Sequence, residues 1–135
     1  MTTPATKSKG YVGWLLPASE RDMLLRIIPA RYDRLMAHHC TLQFGVDSGH
    51  PLPEERQAEV MGVADDMGGV QALVLRIGGS VFRPDHGIYH ITWSLSKGRN
   101  PVESNAVIAN IGYNSVWPMP LIDLEPRFFP FGSHT

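Results

Sequence analysis

The apolar positions of this chain come in short alternating runs broken by proline and glycine, with only two stretches spaced for helices. Tyr11 to Leu16 is an aromatic and aliphatic run closed by Pro17, which predicts a strand. Met23, Leu24, Ile27 and Ile28 then recur at helical spacing until Pro29. Ser19, with Asp22 three residues on, resembles a capping box at the start of that helix.

Between Met36 and Val46, Thr41 and Gln43 alternate with Cys40, Leu42 and Phe44, the pattern of a half-buried strand that ends in the turn-forming run 47–51. Two further strands are expected over 59–64 and 70–77, joined as a hairpin through the turn-like 65–69. Gly78-Gly79 and the run 83–87 break the chain, and Ile88 to Leu95 alternates again. A short helix fits Val102 to Asn110, and the Pro-rich tail from Trp117 to Phe131 reads as a strand and an extended wrap over the core. No linker or low-complexity tract interrupts this order, so residues 11–135 are expected to form one domain behind a flexible polar leader, 1–10.

With 135 residues the chain can bury a core without staples. A formal net charge of −1 argues against binding long duplex nucleic acid, although a local basic pocket for one or two phosphates remains compatible with it. Cys40 is the single cysteine, so no intramolecular disulfide can form, and the cytoplasm is the expected compartment. No apolar run has the length of a membrane span, and a monomer without membrane attachment is expected.

Two strands carry chemistry. Residues i and i+2 of a strand project from the same face, so His39 shares a face with Thr41 and His90 with Thr92, while Cys40, Leu42, Ile91 and Trp93 turn to the core. Side by side, the strands would present two imidazoles and two hydroxyls. Two histidines titrating near neutrality can hold opposite protonation states, one taking a proton from a nucleophile and the other giving one to a leaving oxygen. The threonine hydroxyls can donate to phosphate oxygens as charge develops. No metal or cofactor is needed for this chemistry.

The paired motifs, His39-Cys40-Thr41-Leu42 and His90-Ile91-Thr92-Trp93, resemble the 2H phosphoesterase superfamily, as does the first strand, Tyr11 to Pro17. The resemblance spans residues from about 11 to 116 and is closest to the compact branch, which contains cyclic phosphodiesterases and RNA-repair domains. It implies an α+β fold of two pseudo-symmetric lobes of antiparallel strands with flanking helices around a central cleft. It also implies metal-independent hydrolysis of a cyclic phosphate or small nucleotide phosphodiester, the substrate being a small nucleotide or an RNA end. Within that resemblance His90 activates water and His39 serves as the acid. Tyr11 matches an aromatic position that can contact the base, although packing into the core serves it equally well.

Arg99, in the loop after the second motif, can reach a phosphate or lie solvated. His38 is expected on the face opposite His39, Cys40 in the core rather than as a nucleophile, and His50, His86 and His134 without a role. Six histidines raise the question of zinc, but neither H-x-x-x-H nor H-E-x-x-H occurs. The alternative in a different class is a protein of the same fold that binds a nucleotide without turning it over.

Overall fold

In the computed structural model, which describes residues 9–132, the order of elements is β1 (Lys9–Leu15), α1 (Ala18–Ile27), β2 (Arg34–Leu35), β3 (His39–Asp47), β4 (Gln57–Asp65), β5 (Val70–Arg76), β6 (His90–Leu95), α2 (Glu103–Ile111), β7 (Asn114–Ser115), β8 (Leu121–Asp123) and β9 (Glu125–Pro130). The fold is α+β: one open antiparallel sheet of nine strands with two short helices. Its order is β7-β4-β5-β6-β3-β1-β9, with β2 also on β6 and β8 also on β4. The two central motif strands are therefore neighbours.

The strands and helices lie close to where the periodicity puts them. α1 departs in detail, because the expected capping box is not made: Pro17 occupies the N-cap, no side chain caps the helix, and Ser19 already lies inside it. Proline fixes φ near the helical value and brings no N–H of its own, and the helix starts two residues earlier than a Ser19 cap would place it. Pro126 and Pro130 fall in β9, the edge strand, where a missing ladder donor is tolerated. The leader and His134 lie outside the described residues, apart from Lys9 and Gly10, which are already strand.

Both faces of the sheet centre are buried, by different partners. One face carries Trp14, Leu24, Cys40, Leu73, Leu75, Ile91 and Trp93 in a cluster that includes α1. Each indole N–H finds a backbone carbonyl there, Trp14 that of Glu55 at 2.7 Å and Trp93 that of Ile28 at 2.8 Å, so the rings are buried without stranding a donor. On the other face Val70, Ala72 and Val74 of β5 pack with Val107 and Ile108 of α2. The contacts of α2 run to β4 and β5, which leaves the same face of β3 and β1 to other occupants. The candidate site lies on that uncovered ground.

Candidate active site

β3 meets β6 antiparallel with Cys40 opposite Ile91. Both of these side chains are fully buried on the α1 side, so the residues flanking them, His39 and Thr41 on β3 and His90 and Thr92 on β6, project together from the other face. All four line a cavity of about 550 Å³. The spacing read from the sequence thus brings the two His-x-Thr pairs to one place.

The surroundings fix one imidazole more tightly than the other. His90 Nδ1 lies 2.8 Å from the Ile88 carbonyl. A carbonyl can only accept, so Nδ1 carries the proton and the neutral ring keeps its lone pair on Nε2. Burial, together with the Arg83 charge, holds the His90 pKa below its ordinary value despite the opposing bond to Ile88. Thr92 Oγ1 is 2.9 Å from Ser104 Oγ on α2 and 3.3 Å from the Pro101 carbonyl. Ser104 is fully buried, and when its hydroxyl donates to Thr92 the Thr92 hydroxyl donates to the Pro101 carbonyl, a 3.3 Å bond that a ligand oxygen would have to replace.

His39 sits among rings. It lies 5.2 Å from Tyr11 and 5.2 Å from Phe129, centroid to centroid, and its Nδ1 is 3.0 Å from Nδ1 of His38. Burial first, then the neighbouring His38 and His90, lower its pKa to about 4. The Thr41 hydroxyl makes no hydrogen bond among the described residues and is open to a ligand.

His38 is not on the opposite face; it lines the same cavity. The chain from β2 runs beside β6 with Arg34 opposite Leu95 and Leu35 opposite Ser94, and Ala37 N–H still reaches the Thr92 carbonyl. By Cys40 the pairing has moved to Ile91, so two extra residues, His38 and His39, have been accommodated. Ala37 takes a positive φ of 42° at this point, and strict alternation does not extend through such an irregularity.

Phe44 departs from its expected face for a related reason. Val12 pairs with Gln43 and Gly13 with Thr41, so Leu42 is an extra residue in β3, and Phe44 joins His39 and Thr41 at the cavity instead of the core. A second shift follows at Gly45, whose φ of 78° suits glycine. Phe44 is 68% exposed. Tyr11 is the middle rung of a ladder, stacked on Phe129 at 4.9 Å and on Phe44 at 5.6 Å. Its two ring faces are thereby covered, so Tyr11 offers the cavity its edge and a hydroxyl whose pKa burial raises, while Phe44, tilted against Phe131 at 4.9 Å, is the more exposed ring at the cavity.

Arg99 does not line the cavity. Its Nε donates to Glu103 at 2.9 Å, Nη2 to Asp66 at 2.8 Å and Nη1 to the Gly68 carbonyl at 2.6 Å, which ties the hairpin turn to the start of α2. The cavity's arginine is Arg83, with a side chain only 13% exposed, paired with Asp85 at 3.1 Å and 3.5 Å from Asn105 Oδ1. The sequence marks 83–87 as a break in the chain, within a loop on which substrate choice would depend, without singling out Arg83. Its signal was Gly87, where any Cβ would fall 2.2 Å from Arg83 Nη2, so the glycine makes room for the guanidinium.

Cys40 lies in the core, and burial raises its thiol pKa to about 12, so it supplies no thiolate. Among the described residues no group of three or more His, Cys, Asp or Glu is arranged to hold a metal, and no helix is long and apolar enough to cross a membrane. Comparison with family models, with curated proteins and with solved structures gives no match to this chain.

Proposed function

We propose that the protein is a 2H-type phosphodiesterase that hydrolyses a cyclic phosphate or other small nucleotide phosphodiester by two-histidine acid/base catalysis. The observation that carries this reading is the pairing of β3 with β6 at Cys40 and Ile91, which sets two imidazoles and two threonine hydroxyls around one cavity. Arg83 adds a cation to that cavity, in keeping with an anionic substrate. The halves of the sheet on either side of the β3–β6 seam correspond, in this proposal, to the two lobes of the family.

His90 is the base. Its Nε2 lone pair takes a proton from water as the water oxygen attacks phosphorus, and Nδ1 stays bonded to the Ile88 carbonyl. The bond from phosphorus to the departing ribose oxygen breaks, and that oxygen receives a proton from His39. Thr41 and Thr92 donate to the non-bridging oxygens, whose charge grows as the pentacoordinate state forms. A nucleobase finds its stacking surface on Phe44. The expected substrate is a small nucleotide or an RNA end, acted on by a monomer in the cytoplasm.

The test is hydrolysis of RNA ended by a 2′,3′-cyclic phosphate, and of cyclic mononucleotides and dinucleotides, with a chelator present. His39→Ala and His90→Ala should each reduce turnover by about 10²- to 10⁴-fold, the usual contribution of a positioned acid or base. Full activity in either variant overturns the mechanism, and loss of wild-type activity to the chelator overturns its metal independence. Binding without turnover by the wild-type protein would make it a nucleotide-binding protein instead.

A further inference from the structure

We infer that His38 is a positioning residue which decides the nitrogen on which His39 carries its proton, and that it thereby makes His39 the proton donor of the catalytic pair. This rests on the phosphodiesterase reading above for its consequence, though not for its geometry. The Nδ1 atoms of His38 and His39 are 3.0 Å apart, within hydrogen-bonding distance. Only one proton fits between them. If His38 supplies it, His39 is left with its proton on Nε2; if His39 supplies it, both catalytic rings present lone pairs.

Two arguments favour the first arrangement. His90 is already bound to the Ile88 carbonyl through Nδ1–H and serves as the base, so a second base would leave the departing oxygen without a donor. Burial is the first cause lowering both pKa values and takes that of His39 to about 4, so His39 is a poor holder of an added proton. An excess proton therefore resides on His38, whose Nδ1–H then points at His39. The His38 ring stands edge-on to Phe129 at 5.8 Å, while the charges of Arg127 on β9 and Arg21 on α1 act against its imidazolium.

The proton movements balance. His39 Nε2–H goes to the ribose oxygen as its bond to phosphorus breaks, and His39 Nδ1 takes the proton of the His38 imidazolium. His38 becomes neutral, and the cycle closes when His90 releases to solvent the proton it took from the attacking water, His39 Nε2 takes one up, and the His39 Nδ1 proton returns to His38. His39 thus acts as an acid without passing through an anion, which an isolated neutral imidazole could not do.

Two measurements on the whole chain decide this. Long-range proton–nitrogen NMR at pH 7 should find opposite tautomers, the proton on Nε2 in His39 and on Nδ1 in His90. Kinetics then compare a ribonucleoside 2′,3′-cyclic phosphate, which expels an alkoxide, with thymidine 5′-p-nitrophenyl phosphate, which expels a phenolate that needs no proton. His38→Phe, which keeps an aromatic ring against Phe129, should lower kcat about 10- to 100-fold on the first and less than about threefold on the second, with KM little changed. His38→Asn, whose amide N–H takes the place of Nδ1–H, should restore the His39 tautomer and part of the rate. The same tautomer in both catalytic rings, or equal losses on the two substrates, overturns the inference. A wild-type protein that cleaves neither substrate overturns the phosphodiesterase reading, while the spectrum still decides whether His38 sets the His39 proton.

Discussion

The two His-x-Thr strands look alike in sequence and are held differently in space. On β6 both functional groups are anchored from behind, His90 by the Ile88 carbonyl and Thr92 by Ser104 and Pro101. On β3 the imidazole leans on another titratable ring and the Thr41 hydroxyl is not bonded within the described chain. The difference lies in what stands behind each strand: α2 reaches β6 through Ser104, whereas β3 faces the aromatic ladder of β1 and β9. In the proposed mechanism a preorganised base thus faces an acid whose state depends on a neighbour.

The largest effect that can separate the halves comes from the threonines. Thr41→Ala and Thr92→Ala should both lower kcat by about a hundredfold, as expected for removal of one donor to a developing oxyanion. Stability should distinguish them. Thr92→Ala strands the fully buried Ser104 hydroxyl, which costs about 1–3 kcal/mol, whereas Thr41→Ala removes no internal bond and leaves the urea midpoint in place. Equal midpoints for the two variants would remove this structural asymmetry.

Next in size is the pH dependence of stability. The His39 pKa falls from an ordinary 6.5 to about 4 on folding, so the folded state disfavours the charged ring. The unfolded chain then binds more protons between these values. Stability is complete above pH 6.5, declines as pH falls toward 4, and loses nothing further to this group below that. With partial solvent screening the loss is on the order of 2 kcal/mol. Urea unfolding at pH 7.5 and 4.5 should show wild type losing more stability than His39→Gln by that amount, and equal losses would discount the burial of the ring. His90, lowered in the same direction, should contribute with the same sign.

How much of this was legible in the sequence depended on whether strand period held. It held for the buried positions Trp14, Cys40, Ile91 and Trp93, and for the four motif residues, because a two-residue repeat with one face in the core leaves no freedom about the other face. It failed at His38 and Phe44, each next to an extra residue in a strand, and a bulge leaves no mark on hydrophobic alternation. The exchange of Arg99 for Arg83 has another cause. Which arginine reaches a cavity depends on the course of loops, and neither the Asp66–Arg99–Glu103 bridges nor the approach of Arg83 to Gly87 is encoded by local periodicity. The single continuous sheet was likewise not fixed by the elements alone, since it depends on β3 pairing with β6 across some fifty residues of chain.

That exchange supplies the smallest and sharpest test. Arg83 is an almost buried cation on the His90 side of the cavity, and its charge helps to keep His90 neutral. Arg83→Met should raise KM for an anionic substrate about three- to tenfold, the value of one charge-assisted contact partly offset by Asp85. It should also move the acid limb of the kcat/KM profile to higher pH, because removing a nearby positive charge lets His90 take its proton more easily. Arg99→Met, which breaks the links to Asp66, Gly68 and Glu103, should instead lower the unfolding midpoint and leave both KM and the acid limb where they were. If Arg99→Met shifted the pH profile and Arg83→Met did not, the cation beside the base would have been assigned to the wrong loop, and the neutral state of His90 would need another source.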